Sequence, residues 1–273
     1  MKTGRKIFWI VCVVLVIIGT GMAGAGVLLG GMTGKGREYL NLRDTIKETS
    51  ADLGSQKITS TGEYVTEYSG ITELDLDVSG FDVVVRPADI KYVRVSTEKI
   101  KEKYRKFLAI EEDANTVSIY QNGEIKMPAK DAGTLYVEIP KEQKLESVEL
   151  GVGAGYLQAQ GVKAGELTVE VGAGRADITD YETKELDAEC GVGQMRLEGD
   201  TTESVSLECG IGKILYITED CQSYNYDMEC GIGTINIDGK KVEGIGAGQS
   251  IDNDKSRTMD LTCNIGTIEV RSK

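Results

Sequence analysis

The feature that most limits what this chain can become is a short phrase that it repeats. VGAG at 152–155 and 171–174, CGVG at 190–193, CGIG at 209–212 and 230–233, and CNIG at 263–266 are variants of one motif. The first glycine falls at Gly153, Gly172, Gly191, Gly210 and Gly231, with Asn264 in the sixth copy. The copies are therefore 19, 19, 19, 21 and 33 residues apart. A unit of that length cannot close a core by itself. It gains one by stacking on its neighbours, and a period of this size marks a solenoid.

Aligned copies resolve into columns. Leu150, Val169, Ala188, Leu207, Met228 and Leu261 form one. Two residues on stand Val152, Val171, Cys190, Cys209, Cys230 and Cys263, and two further on Ala154, Ala173, Val192, Ile211, Ile232 and Ile265. Alternation with period two is a strand with one buried face, so all three columns are expected to point inward. Past the Gly-x-Gly the alternation slips by one residue, to Leu157, Ala176, Met195, Ile214, Ile235 and Ile268. The slip needs a corner. Gly153, Gly155, Gly172, Gly174, Gly191, Gly193, Gly210, Gly212, Gly231, Gly233 and Gly266 are assigned to it, because glycine tolerates positive φ; Asn264 is the best substitute there. Each rung then reads strand, corner, strand, surface turn, with turns at Gly199-Asp200-Thr201 and Asp238-Gly239. The expected fold is all-β: a single-stack parallel β-solenoid, regular over 148–273 and preceded by one N-terminal transmembrane helix. Gly244-Ile245-Gly246-Ala247-Gly248 reads either as a further rung or as a loop.

Before Val148 the same grammar is looser. Leu74, Leu76 and Val78 alternate with Glu73, Asp75 and Asp77, Ser79-Gly80-Phe81 breaks the run, and Val83 and Val85 follow. Tyr92–Ser96, Thr116–Tyr120 and Leu135–Ile139 read as strands, 98–109 as a short helix or an edge excursion, and 121–133 as a loop.

Ile7 to Gly34 is 28 residues without a charge, preceded by Lys2, Arg5 and Lys6. A span needs about 20 apolar residues, and the preceding cations favour a cytoplasmic N-terminus. Residues 1–34 are read as a signal-anchor, with a cleaved signal peptide ending near Ala23-Gly24-Ala25 as the alternative. Both put the rest outside the cytoplasm. Residues 35–61 form a juxtamembrane linker, and 62–273 an extracytoplasmic solenoid on a single-pass membrane protein.

The net charge is −13, with 44 acidic against 31 basic residues. Such a surface repels nucleic acid, so nucleic-acid binding is excluded. Part of the charge is ordered. Glu170, Glu189, Glu208 and Glu229 occupy one outward column, with Asp187 and Asp227 in the column beside it. In-register stacking makes this a like-charge ladder. It is read as a solvated face, with a cation or a cationic partner segment as the functional alternative. Zinc is not expected, since the chain has no His and no CxxC pair. Cys190, Cys209, Cys230 and Cys263 are expected to act as small buried hydrophobes, and Cys221 to fall in a turn. Stacked free thiols outside the cytoplasm fit a reducing habitat.

The run Leu135-Tyr-Val-Glu-Ile-Pro140-Lys141, then Leu145-Glu-Ser-Val148 and the VGAG repeats, resembles the bacterial toast-rack family of adhesin-like β-solenoids. Residues 71–89 look like its opening rungs, and the resemblance covers roughly 62–273. It implies a membrane-tethered protein acting in envelope stress responses or surface interaction, and it supplies no catalytic residue. The cysteine column departs from the small and aliphatic residues usual there.

The sequence thus favours a non-enzymatic interaction module at the cell envelope, sensing or regulating through other envelope proteins. A structural surface protein or adhesin is the alternative, and a carbohydrate-active enzyme the third reading. No cofactor is expected. The acidic columns repeat along the stack instead of converging on one point, which suits a ladder better than a catalytic pair. A phosphate loop would need a helix after Gly-x-Gly, and strands follow here. Self-association through an uncovered solenoid end is a further expectation.

Overall fold

The computed structural model describes residues 64–123 and 132–273. The expected membrane anchor and linker lie outside the described residues. Among the described residues no helix is long and apolar enough to cross a membrane. Lys57–Lys273 form one compact unit. Its buried core runs from Tyr68 to Val270 and forms a single cluster, so the unit carries what a self-folding domain needs.

Among the described residues twelve strands make the stack. They are β1 (Val65–Tyr68), β2 (Glu73–Val78), β3 (Asp82–Ala88), β4 (Val93–Ser96), β5 (Leu108–Asp113) and β6 (Thr116–Gln121). Then follow β7 (Thr134–Pro140), β8 (Leu145–Gln160), β9 (Ala164–Thr218), β10 (Tyr224–Ile237), β11 (Lys240–Ile251) and β12 (Arg257–Ser272). The 98–109 segment is an excursion holding one helical turn, Glu102–Arg105, and the start of β5. β9 alone is 55 residues long and winds through three rungs. Corner glycines of successive rungs lie against each other, Gly172 on Gly153, Gly191 on Gly172 and Gly210 on Gly191.

The rungs do not stack in chain order. Parallel pairing runs from β8 to β9, from β9 to β12, and from β12 to β10. β12 thus lies between two rungs that precede it in sequence. Cys263 pairs in register with Cys209 on one side and Cys230 on the other. The 33-residue gap before the last motif is the length of a hairpin that carries the chain past this slot and back. β11 is that hairpin's return strand, antiparallel to β10, and it ends the stack. GIGAG is therefore neither a parallel rung nor a loop. The hairpin turns at Asp238-Gly239, both in the left-handed region at φ 44° and 88°, with Asn236 Oδ1 accepting the Gly239 N–H.

The other expected turn is not one. Gly199-Asp200-Thr201 continues β9, with Thr201 fully buried. A Cβ at Gly199 would lie 2.5 Å from the Tyr181 ring, so glycine here is set by packing against an aromatic. Thr201 accepts from the Tyr216 hydroxyl, and Tyr224 donates to the Thr201 carbonyl, so these buried polar groups satisfy one another.

The corners also differ from expectation. In five of the six copies positive φ belongs to the second glycine: 148° at Gly155, 144° at Gly174, 146° at Gly193, 143° at Gly212 and 145° at Gly266, while Gly233 lies outside that region. The first position is not in the left-handed region, and neither is Asn264. Glycine is needed there because the rungs approach closely; a Cβ at Gly210 would sit 2.4 Å from the Gly191 carbonyl oxygen. At Gly193, Gly212 and Gly266 this bend turns the preceding residue outward. Val192, Ile211, Ile232 and Ile265, expected in the core, are exposed. The two earlier apolar columns and the one after the slip are buried as expected.

Candidate interaction face

Register brings three features side by side along the regular rungs: an acidic ladder, a glycine trough and an aliphatic ridge. The ladder column reads Tyr120, Asp77, Gly151, Glu170, Glu189, Glu208, Thr262, Glu229 and Gly248 in stacking order. Insertion of β12 therefore puts Thr262 between Glu208 and Glu229, and three glutamates, not four, are consecutive. The neighbouring column reads Ser118, Asp75, Glu149, Thr168, Asp187, Ser206, Asp260 and Asp227. Of the predicted face residues, Glu170, Glu189 and Glu208 are brought together, with Asp187 beside them. Glu229 is set apart from the other glutamates, and Asp227 instead meets Asp260 in register.

The electrostatics follow from this crowding. Burial, then Glu208 and Glu170, raise the Glu189 carboxyl above the usual carboxylate range. Burial and then Asp227 do the same to Asp260. At the far end of the ladder Asp75, Asp77, Glu111, Glu149 and Glu170 line an open groove of about 480 Å³ with Ser118 and Tyr120. Burial, then Asp77, raise Asp75, while the Ser118 hydroxyl pulls it down. Burial, then Asp75 and Glu170, raise Glu149. Tyr120 donates to Glu111 Oε1 and, by burial and then that bond, is pushed up to about 12. Among the described residues no group of three or more Cys, Asp or Glu is arranged to hold a metal ion. Carboxylates spaced one per rung spread along the stack, whereas Ca²⁺ needs six to eight oxygens around one point.

Between the ladder and the ridge runs the first-glycine column: Gly172, Gly191, Gly210, Asn264 and Gly231. Without side chains it is a trough floored by backbone. Only Asn264 intrudes, and its amide donates to Glu208 Oε1 at 3.3 Å. The ridge follows: Val192 (52% exposed), Ile211 (52%), Ile265 (48%), Ile232 (59%) and, on β11, Ile245 (89%). Ile211, Ile265, Ile232 and Ile245 are register partners in that order. The same column begins as Gly80, whose N–H bonds Ala154, then Ala154 and Ala173. The outward side chain thus grows from nothing to isoleucine along the stack.

Sequence reasoning found this column and pointed it the wrong way. The available signal was the gradient itself, since a buried column of fixed geometry does not drift from Ala to Ile without compensation. Reasoning also missed the groove. Asp75 and Asp77 alternate with Leu74, Leu76 and Val78 as Glu149 and Gly151 alternate with Val148, Leu150 and Val152, and the two strands do pair in that register.

The cysteines Cys190, Cys209, Cys230 and Cys263 are free and buried, and Cys221, in the helical turn Cys221–Ser223, is buried as well. Burial first raises the thiols of Cys190 and Cys230, and pushes Cys221 up to about 11. Those three thiols stay protonated as core residues, while the hydrogen bond between Cys209 and Cys263 lowers the first thiol and raises the second. Cys12 lies outside the described residues.

A candidate cell adhesion protein from Clostridium sporogenes ATCC 15579 aligns with 77% of this chain and 98% of its own, at 15% identity and a TM-score of 0.42. A candidate adhesin from Bacteroides fragilis NCTC 9343 aligns with 76% of this chain and 94% of its own, at 13% identity and a TM-score of 0.44. One from Parabacteroides distasonis ATCC 8503 gives 13% identity over the same shares and a TM-score of 0.33. No curated protein sequence matches the chain. The family profile Toastrack DUF4097 matches residues 71–249, from the corner-forming β2–β3 pair through the β11 cap. The chain belongs to the Toastrack DUF4097 family.

Proposed function

We propose that this protein is a non-enzymatic interaction module, tethered by its N-terminal segment to the cell membrane, whose solenoid engages other envelope proteins outside the cytoplasm in sensing or regulating the state of the envelope. The observation that carries this reading is the aliphatic ridge. Large β-branched side chains are held in solvent, one per rung, on a backbone too closely packed to fold them away. A contiguous exposed apolar strip is a feature of interaction sites on soluble proteins. The uncharged run of 28 residues behind Lys2, Arg5 and Lys6 supplies the tether.

The test is cross-linking in intact cells, then affinity purification and mass spectrometry. The full-length protein is compared with its Ile211→Ser, Ile265→Ser, Ile232→Ser triple variant. A defined set of membrane or envelope proteins, lost in the triple variant, is expected. Recovery of only wall polymer or surface material would instead make the protein an adhesin. Recovery of the same partners from both proteins would remove the ridge from the reading.

A further inference from the structure

We infer that the trough between the acidic ladder and the aliphatic ridge is a docking site for a basic amphipathic helix of a partner protein. This rests on the reading of the solenoid as an interaction module and names the chemistry of what it binds.

Three observations carry it. The first is shape. From the ladder to the ridge is three residues of strand, as from Glu208 to Ile211, or at most about 10 Å. The floor between is glycine backbone at Gly191, Gly210 and Gly231. A trough of that width seats one face of a helix laid over it, the whole helix with side chains being about 10–12 Å across. The second is spacing. Ridge side chains recur once per rung, at about 4.8 Å. A helix lying along the stack presents one apolar side chain per turn of about 5.4 Å, at i, i+3 or i+4, and i+7. Over Val192, Ile211, Ile265 and Ile232 the two periods stay in step for about three turns, which sets a partner segment of roughly 12 residues.

The third observation is charge. One wall of the trough is Glu170, Glu189 and Glu208, backed by Asp187 and Asp260. Beyond the ridge the cations Arg175 and Lys213 are already neutralised, by Asp177 at 2.8 Å and Glu269 at 2.7 Å. The field at the trough is therefore negative. A second copy brings the same sign of charge, as does an anionic lipid surface, and both are disfavoured. A helix with Lys or Arg along one side of its apolar row satisfies ridge and ladder at once. Glu189, in the middle of the ladder, is held above the usual carboxylate range by burial first and then by Glu208 and Glu170, a repulsion that a cationic neighbour relieves.

The experiment uses residues 57–273, the compact unit that holds its own core. The probes are three fluorescent 14-residue peptides. One has leucines at i, i+3, i+4 and i+7 with lysines elsewhere, the second replaces lysine by glutamate, and the third scrambles the leucines. Anisotropy titrations are run at two salt concentrations. The Leu/Lys peptide is expected to bind, and the other two at least about tenfold more weakly, which is 1.4 kcal/mol. The Ile211→Ser, Ile265→Ser, Ile232→Ser triple variant is expected to lose about tenfold or more. Glu189→Gln with Glu208→Gln is expected to lose a few-fold and to flatten the salt dependence. These are all exposed positions, and circular dichroism checks that each variant is folded. Equal binding of the glutamate peptide, equal binding of the scrambled peptide, or an unchanged affinity in the triple variant would each overturn the proposal. So would sedimentation showing that the ridge pairs two copies. Should the cellular partners vanish in the triple variant while no Leu/Lys peptide binds, the interaction reading stands and the basic-helix assignment falls.

Discussion

The strands before Val148 and the regular rungs after it reach the same stacking by different means. In the first region the strands are short and separate, and side chains tie them. Arg86 bonds Glu138 at 2.6 Å, and Arg94 bridges Glu67 at 2.7 Å and Glu138 at 3.2 Å. The corner there spends an aromatic: Phe81 is fully buried beside Gly80, whose φ is 83°. In the second region the backbone does the work, with glycines so close that no Cβ fits between rungs. The difference teaches what each construction allows. Side-chain ties tolerate interruption, and this region accepts the helical excursion at Glu102–Arg105 between its strands. Backbone contact tolerates none, yet it leaves every outward position free, and that freedom is what lets a ladder and a ridge be written along the stack.

The sharpest way to break this contrast is at a second glycine. Gly212 has φ 143°, and a Cβ there would fall 2.0 Å from the Gly193 carbonyl oxygen. Gly212→Val is expected to destabilise the unit by about 3 kcal/mol or more, read from the midpoint of denaturant unfolding. The cysteine column comes next. Cys209→Asp is expected to lose several kcal/mol through an unpaired buried charge, whereas Cys209→Val stays within about 1.5 kcal/mol, since Val152 and Val171 fill the same column. In the side-chain-tied region, Arg94→Ala is expected to lower the unfolding midpoint far less than Gly212→Val does, and less still at high salt. If the arginine variant melts below the glycine variant, the two regions are not built as described.

The smallest effect is one of pH. Asp75, Glu149, Glu189 and Asp260 have folded pKa values raised above their unfolded ones. Their folded forms hold protons more tightly, so they weaken the fold above the folded pKa and this penalty disappears as pH falls into the usual carboxylate range. Asp177 and Glu269 have lowered values: burial pushes Asp177 up, but Arg175 and Tyr156 outweigh it, while Lys213 is the main influence on Glu269. They stabilise above the unfolded pKa, and that contribution is lost as pH falls through the folded one. The unfolding midpoint should therefore rise slightly from pH 7 toward about pH 5 and drop below about pH 4. Glu189→Gln should stabilise at pH 7 by a few tenths of a kcal/mol and shallow that rise. A midpoint that falls steadily from pH 7 would remove the ladder as a source of repulsion.

Much of the architecture was legible because a stacked rung writes its geometry into every copy. The buried columns through Leu207, Cys209 and Ile214 read directly, as did the upstream strands β4, β6 and β7. The errors in stacking order share one cause. Repeats alike enough to be recognised are alike enough to exchange places, so period alone could not say that β12 sits between β9 and β10. Only the 21- and 33-residue gaps hinted at it. The direction of Ile211 turned on which of two glycines bends, a matter of backbone contact between rungs that no single rung encodes. The ladder was visible as composition, but its interruption by Thr262 depended on the same exchange of order.

That exchange has a consequence for how the molecule comes to be. On the ribosome β10 emerges before β12, yet β9 and β10 are not neighbours in the finished stack. Their matching faces, Cys209 toward Cys230 and Ile211 toward Ile232, would zip together in the nascent chain with nothing in register to forbid it. The hairpin of β10 and β11 must either wait or reopen to admit the strand that follows. Folding of this domain is thus expected to pass through a compact form one rung short, with β12 loose, whose conversion to the native stack is the slow step. Refolding followed by exchange at the amides of β12 against those of β9 would show it as a delay confined to the inserted strand.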